Sequence, residues 1–378
     1  MYFRTITIKD RDMNNNLLMK EPTLLVDKQK CIENIKTMKA KGDKAEIVFR
    51  PHFKTHQSAT VGEWFRELGV DKITVSSVRM AKYFADNGWN DITIAFPVNI
   101  LELDDLNQLA DKITLNLQVE SVGIARFLDS YLSSKVNVFI KIDAGYHRTG
   151  IWCENIQEIE NLVEEINKSD KLNLLGFLTH SGQNYSAENE KEIIENHGQS
   201  LRVMSEIKDY FKEKYPNLIA SIGDTPGCSL SDEFYGIDEI RPGNFVFYDL
   251  MQFILGSCHD TDIAVVMACP VVAKHKERNE IVIYGGGVHL SKEFIPTGED
   301  KLFGSLVKFD DNGWTQILAG GFLTSLSQEH GIIKVNDDLF KNIDMGEQIG
   351  IIPVHSCMTV SAMKRMFTTD GEELDVMK

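Results

Sequence analysis

The segment Arg50-Pro51-His52-Phe53-Lys54-Thr55-His56 follows a short β-branched run and sets one amine between two imidazoles. Desolvation between Phe53 and the mouth of a barrel would lower the ammonium pKa from its usual value near 10.4, leaving an amine able to attack a carbonyl and form an imine. A lone lysine in such a loop is otherwise a solvated surface charge. Two later turns, Ser221-Ile222-Gly223-Asp224-Thr225-Pro226-Gly227 and Arg241-Pro242-Gly243-Asn244, offer backbone N–H groups of the kind that hold a phosphate. Each alone reads as an ordinary loop, and the pair gains meaning only alongside the lysine. Arg148, within Asp143-Ala144-Gly145-Tyr146-His147-Arg148-Thr149-Gly150, supplies a fixed positive charge or pairs with a surface carboxylate. Thr179-His180-Ser181-Gly182-Gln183-Asn184-Tyr185 supplies an imidazole and a phenol that can stack on or hydrogen-bond to an aromatic ligand, with a structural histidine as the plainer alternative. Near the carboxyl end, alternation in an extended segment would bring His355 and Cys357 to one face, as two metal donors or as two core side chains.

These residues need elements to hold them. Short apolar runs alternate with amphipathic stretches from Pro22 to Asp249: Thr23 to Asp27, Glu46 to Arg50, Lys72 to Ser77, Asp91 to Phe96, Lys112 to Gln118, Val136 to Asp143, Leu172 to His180, Leu218 to Gly223 and Glu239 to Arg241. The pattern predicts an α/β fold, a (β/α)8 TIM-type barrel whose active site lies at the carboxyl ends of its strands. One run is surplus to eight, so an end run should lie outside the barrel, and strand counting leaves an open doubly wound sheet possible. After about Met251 the pattern turns to hairpins: Ile263 to Ala273 with Glu280 to Tyr284, then Leu306 to Phe309 with Trp314 to Leu318 around Asp310-Asp311-Asn312-Gly313, and a late strand from Gln348 to His355. The expected division is a barrel over residues 21–250 and a compact antiparallel β-domain over 251–378, joined by residues 1–20.

The 378 residues are 43% hydrophobic, enough for a large core, and carry a net charge of -16. That charge excludes nucleic acid and anionic membrane surfaces as partners and favours a small molecule. The first twenty residues are too polar for a signal peptide, and no run is long and apolar enough to span a bilayer. Six scattered cysteines without a Cys-x-x-Cys pair suit a reducing, cytoplasmic setting.

Taken in order, RPHFKTH, DAGYHRTG, THSGQNY, GDTPG and RPGNFVFYD resemble the family containing D-threonine aldolase and D-serine dehydratase, whose barrel is that of alanine racemase, from about Glu21 to about Thr359. The resemblance implies pyridoxal 5'-phosphate held as an imine on Lys54, with Arg148 facing the ring and His180 and Tyr185 lining the pocket. It implies phosphate contacts from the turns at Gly223, Thr225, Gly243 and Asn244. Arg241 matches the arginine that alanine racemases set against the pyridine nitrogen, which keeps that nitrogen unprotonated. His355 and Cys357 match a pair that binds a divalent metal, zinc more readily than manganese because one donor is a thiolate. The expected reaction is lysis of a D-β-hydroxy amino acid, with Lys54 taking the α-proton and His180 or His56 serving as base for retro-aldol cleavage. Ser327 to Gly331 also matches a family segment, with His330 as a further candidate. One segment departs from the pattern: Tyr284-Gly285-Gly286-Gly287-Val288-His289-Leu290-Ser291 stands where many members carry Asp-x-Gly-x-Lys, which leaves the substrate open. A head-to-tail homodimer is implied. The alternatives are an amino-acid racemase, with Tyr284 as second base and no metal, and a pyridoxal-phosphate-binding protein without turnover.

Overall fold

The computed structural model describes residues 19–311 and 313–378. Eight parallel strands make the main path of its first sheet: Val48–Phe49, Ile73–Val75, Asp91–Pro97, Thr114–Val119, Val136–Asp143, Leu172–Leu178, Ile219–Ile222 and Glu239–Ile240, with the short Ile151–Trp152 paired off this path to Val136–Asp143. The last strand pairs with the first, Glu239 opposite Val48. Ile73–Val75 meets the chain just beyond the first strand at a bridge between His52 and Thr74. The sheet therefore closes on itself, and the open doubly wound alternative falls away. Strands buried on both faces need apolar side chains at successive positions, and Val136–Asp143 is buried at all but one residue. The intervening helices bury one stripe each, as Ile156–Ile166 does with Ile159, Leu162, Val163 and Ile166. Ser58, Ser77 and Ser121 each accept the N–H of the residue three positions on, which fixes where the helix after each strand begins.

The run beginning at Thr23 lies outside the barrel. Thr23–Val26 pairs antiparallel with Val265–His275 in the second sheet and parallel with Met366–Thr368. Six antiparallel strands of that sheet also close: Val265–His275, Glu280–Tyr284, His330–Val335, Gly321–Leu326, Gly304–Val307 and Gln348–Pro353. Closure is made by Val265–His275, whose register shifts between Val271 and Ala273; the first half pairs with Gln348–Pro353 and the second with Glu280–Tyr284.

The second sheet departs from the expected hairpins. The second of them is reduced to Phe309–Asp310 against Gly313–Trp314, with Asn312 outside the described residues. Gly304–Val307 pairs instead with Gly321–Leu326 and Gln348–Pro353. Gly321–Leu326 itself, interrupted by Thr324 and Ser325, has no clear alternation to announce it. The expected contribution of residues 1–20 to this part of the chain falls, for residues 1–18, outside the described residues. Among the described residues no helix is long and apolar enough to cross a membrane.

Candidate active site

The barrel's carboxyl ends collect most of the residues singled out above. After the strand Val48–Phe49 the chain turns sharply over Phe53 to His56. Phe53 drives that turn: its ring is wholly buried and packs on Phe65, Phe84, Trp89 and His56 at centroid distances of 4.5–5.0 Å. Phe53 therefore lies beneath Lys54 and does not cover it. His56 goes the same way, wholly buried, with Nδ1 accepting the Ser58 N–H at 3.1 Å and Nε2 without a partner. Burial holds its pKa down to about 3. The structure thus takes His56 into the aromatic core, away from the base role expected for it, because residues two apart in a turn do not share a face.

Lys54 stays partly exposed among different neighbours. Burial, then the charges of Lys54 and Arg241, depresses the pKa of His52; burial, then Lys54, does the same for His180, with Lys141 and Arg148 adding smaller effects. His180 Nδ1 lies 2.5 Å from the Gly223 carbonyl. A carbonyl only accepts, so the proton is on Nδ1 and Nε2 keeps its lone pair. Tyr185 tilts against His180 with centroids 6.1 Å apart, and its hydroxyl accepts the Thr225 N–H at 3.3 Å. Arg241 is almost fully buried and donates to Ser221 Oγ and, at 2.5 Å, to the Thr179 carbonyl. Burial lowers its pKa only to about 10, so it stays cationic at neutral pH. Arg148 is exposed, with its guanidinium 4.9 Å from the Tyr146 ring centroid, on a loop that Asp143 shapes by accepting the N–H groups of Gly145 and His147 at 3.0 Å.

The glycines of the two late turns sit where nothing larger fits. A Cβ on Gly223 would lie 2.8 Å from Arg241 Cβ, and one on Gly243 would lie 2.8 Å from both Cβ and the carbonyl oxygen of His52. The Gly243 N–H points at Thr225 Oγ1, 3.4 Å away. Asn244 is different: its side-chain amide donates to Asp249 at 2.6 Å, Ser356 at 3.0 Å and Cys357 at 3.8 Å, so only its backbone is left for a phosphate. Bare turns beside Lys54, Lys141, Arg148 and Arg241 are a donor set that fits an anionic aromatic aldehyde such as pyridoxal phosphate.

His355 and Cys357 do meet, although not on an extended face. The strand stops at Pro353, His355 caps the helix Ser356–Met363, and Cys357 lies in its first turn. Imidazole and thiol interact directly; burial opposes thiolate formation, but His355, with smaller help from Lys54 and Thr55, holds the Cys357 pKa below the usual value. Cys357 Sγ donates to Thr55 Oγ1 at 3.3 Å, one residue beyond Lys54. Glu293 contacts His355 at Nδ1. Burial disfavours the imidazolium, yet Cys357 and Glu293 raise the His355 pKa to about 11. A histidine held by a carboxylate and paired with a thiol of lowered pKa fits a divalent cation. Among the described residues no group of three or more His, Cys, Asp and Glu is placed to hold a metal.

Several members of the site were missed. Lys141 is almost fully buried in Val136–Asp143, and burial followed by Arg241 and Arg148 lowers its pKa to about 7. A lone lysine inside an apolar strand was the signal. Glu293 and Asp249, which accepts the Ser356 N–H at 2.9 Å, carried none, because their partners are distant in sequence. His330 is exposed on the second sheet, opposite Tyr284, and Tyr284 packs edge-on against His289.

Comparison with known proteins agrees with this architecture. Residues 26–250 match the alanine racemase N-terminal domain and residues 264–369 the putative serine dehydratase domain. The chain is 31% identical to D-serine dehydratase from Dictyostelium discoideum, over 93% of this chain and 92% of that one. Its fold resembles D-threo-3-hydroxyaspartate dehydratase from a Delftia species, with TM-score 0.87 at 23% identity over 94% and 97% of the two chains. It also resembles D-threonine aldolase from Filomicrobium marinum, with TM-score 0.80 at 19% identity over 94% of each. The chain therefore belongs to the family that joins an alanine racemase N-terminal domain to a putative serine dehydratase domain.

Proposed function

We propose that this chain is a lyase of D-configured β-hydroxy amino acids, of the D-serine dehydratase or D-threonine aldolase type, dependent on pyridoxal phosphate and a divalent metal. The observation that carries the reading is the meeting of two chemistries at one barrel mouth: the Cys357 thiol, paired with His355, reaches Thr55, the residue next to Lys54. When bound, the cofactor supplies an electron sink for the bond broken at Cα, and the metal supplies a Lewis acid for the β-hydroxyl.

The chain's own groups do the rest. Lys54 Nζ holds the cofactor and then moves the proton at Cα. Arg241 faces the cofactor's pyridine nitrogen, Arg148 faces the ring and Lys141 adds positive charge beside them, while Gly223, Thr225, Gly243 and the Asn244 backbone line the phosphate seat. Tyr185 closes one wall. His180 offers Nε2 as the base for a hydroxyl proton, which retro-aldol cleavage needs and dehydration does not. His355 and Cys357 hold the metal, with zinc preferred to manganese by the thiolate, and Glu293 orients His355. His56 takes no step. The reading includes a barrel and β-domain that act together, a cytoplasmic setting and a homodimer.

The test is to supply D-serine and D-threonine to the purified protein with and without EDTA. Release of pyruvate or acetaldehyde that stops on chelation is expected, and the product identifies the reaction. Exchange of the α-proton with no release of either product, unaffected by EDTA, would instead mark a racemase.

A further inference from the structure

The carboxyl end of the chain reaches across from the second sheet to the segment that carries Lys54. Glu373–Leu374 pairs with Met366–Thr368, and the residues beyond it alternate, Leu374 and Val376 buried and Asp375 outward. The Asp375 carboxylate accepts from Ser58 Oγ at 3.0 Å, the Ala59 N–H at 2.9 Å, the Thr60 N–H at 2.8 Å, Thr60 Oγ1 at 2.6 Å and the Tyr83 hydroxyl. Burial alone would raise its pKa, but these donors hold the carboxyl well below the usual range. Two residues on, the Met377 N–H donates to the Gln57 carbonyl at 2.7 Å.

Gln57 is the link back to the lysine. Its φ is +51°, a left-handed geometry that is strained for a non-glycine residue and persists only where contacts enforce it. Its side-chain amide donates to the Lys54 carbonyl at 3.1 Å and to Ser361 Oγ at 2.8 Å, on the helix that bears Cys357. Ser58, held by Asp375, caps the helix Ala59–Glu67, whose Phe65 packs on Phe53 beneath the lysine. The last residues thus grip the far end of the turn, from Gln57 to Thr60, and the Gln57 side chain ties that end back to the Lys54 carbonyl.

We propose that this strap, through Asp375, is a positioning device for Lys54, holding the turn that aims its amine into the barrel mouth. The proposal rests on Lys54 being the cofactor-bearing residue. Displacing a reacting group by about 1 Å costs on the order of 100-fold in rate. Asp375→Ala should therefore lower kcat by about 10- to 100-fold while changing KM little.

The test combines that kinetic split with amide hydrogen exchange on the full-length holoenzyme. The amides to follow are those of Lys54, Gln57 and Ser58, which donate to His52, the Phe53 carbonyl and His56, not to Asp375. Their exchange should accelerate about tenfold or more, with protection in Val136–Asp143 and Leu172–Leu178 unchanged. Asp375→Asn, which keeps the size but loses the charged acceptor, should fall between wild type and Ala, and it decides the matter if the alanine variant does not fold. Unchanged exchange at those three amides, or a uniform rise across the barrel, would overturn the strap. If wild-type Lys54 carries no cofactor, the lyase reading fails, and the exchange data still decide whether the strap orders the turn.

Discussion

Two neighbouring regions use burial in opposite ways. At the barrel mouth, like charges crowd together: Lys54, Arg241 and Arg148 surround His52, His180 and Lys141, whose pKa values burial and those charges depress. At the start of the helix Ser356–Met363, opposite partners meet: His355 is raised by Cys357 and Glu293, and Cys357 is lowered by His355. Desolvation opposes the charged form in both places, so the sign of the outcome is set by the neighbour. The first region is prepared for an anion and the second for a cation. A substrate with an anionic carboxylate and a β-hydroxyl to be polarised needs both.

The comparison can be broken most forcefully at the cation side. His355→Ala or Cys357→Ala should reduce turnover on the order of 100-fold or more, leaving the cofactor's visible absorption in place. Metal analysis beside the absorption spectrum checks it, and loss of both signals together would mean the two regions are not separable. Glu293→Gln should weaken metal binding by about 10- to 100-fold, read by competition with a chelator, with little effect on cofactor content. On the anion side, Gly243→Ala pushes a methyl group into His52 and should cost about 1–3 kcal/mol of stability along with cofactor affinity, measured by urea unfolding and cofactor titration.

A pH dependence of stability is expected as well. Lys141 titrates at about 7 in the folded chain against 10.5 for a free lysine. Between those values the unfolded chain binds the proton and the folded chain does not, so cofactor-free protein should gain stability as pH rises through that window. Below the folded pKa both states are protonated and this contribution to the slope vanishes. The slope is at most about 1.4 kcal/mol per pH unit, and Lys141→Met should remove it in urea unfolding at a series of pH values.

The anion side was the more legible in the sequence. Its residues follow strands directly, so a run such as Val136 to Asp143 announces both the strand and the loop that it delivers. The same alternation gave the parallel α/β sheet, but its closure into a barrel rests on pairings between distant ends of the chain, Glu239 with Val48 and His52 with Thr74. The cation side was legible as a pair of residue types but not as a geometry: Val354-His355-Ser356-Cys357 reads equally as an alternating strand and as the cap and first turn of a helix, and Pro353 ends the strand just before it. His56 turns into the aromatic core, a direction that its position in a turn does not reveal. Glu293, Asp249 and Asp375 are brought to the site only by the packing of the second sheet against the barrel, and no local pattern encodes that.

Every role proposed for the barrel mouth depends on Lys54 carrying the cofactor. Borohydride reduction of the purified protein supplied with pyridoxal phosphate, followed by peptide mass mapping, tests it directly. The expected result is one reduced pyridoxyl adduct on Lys54, absent when Lys54 is replaced by alanine. No adduct, or an adduct on Lys141 or a surface lysine with Lys54 unmodified, would contradict it.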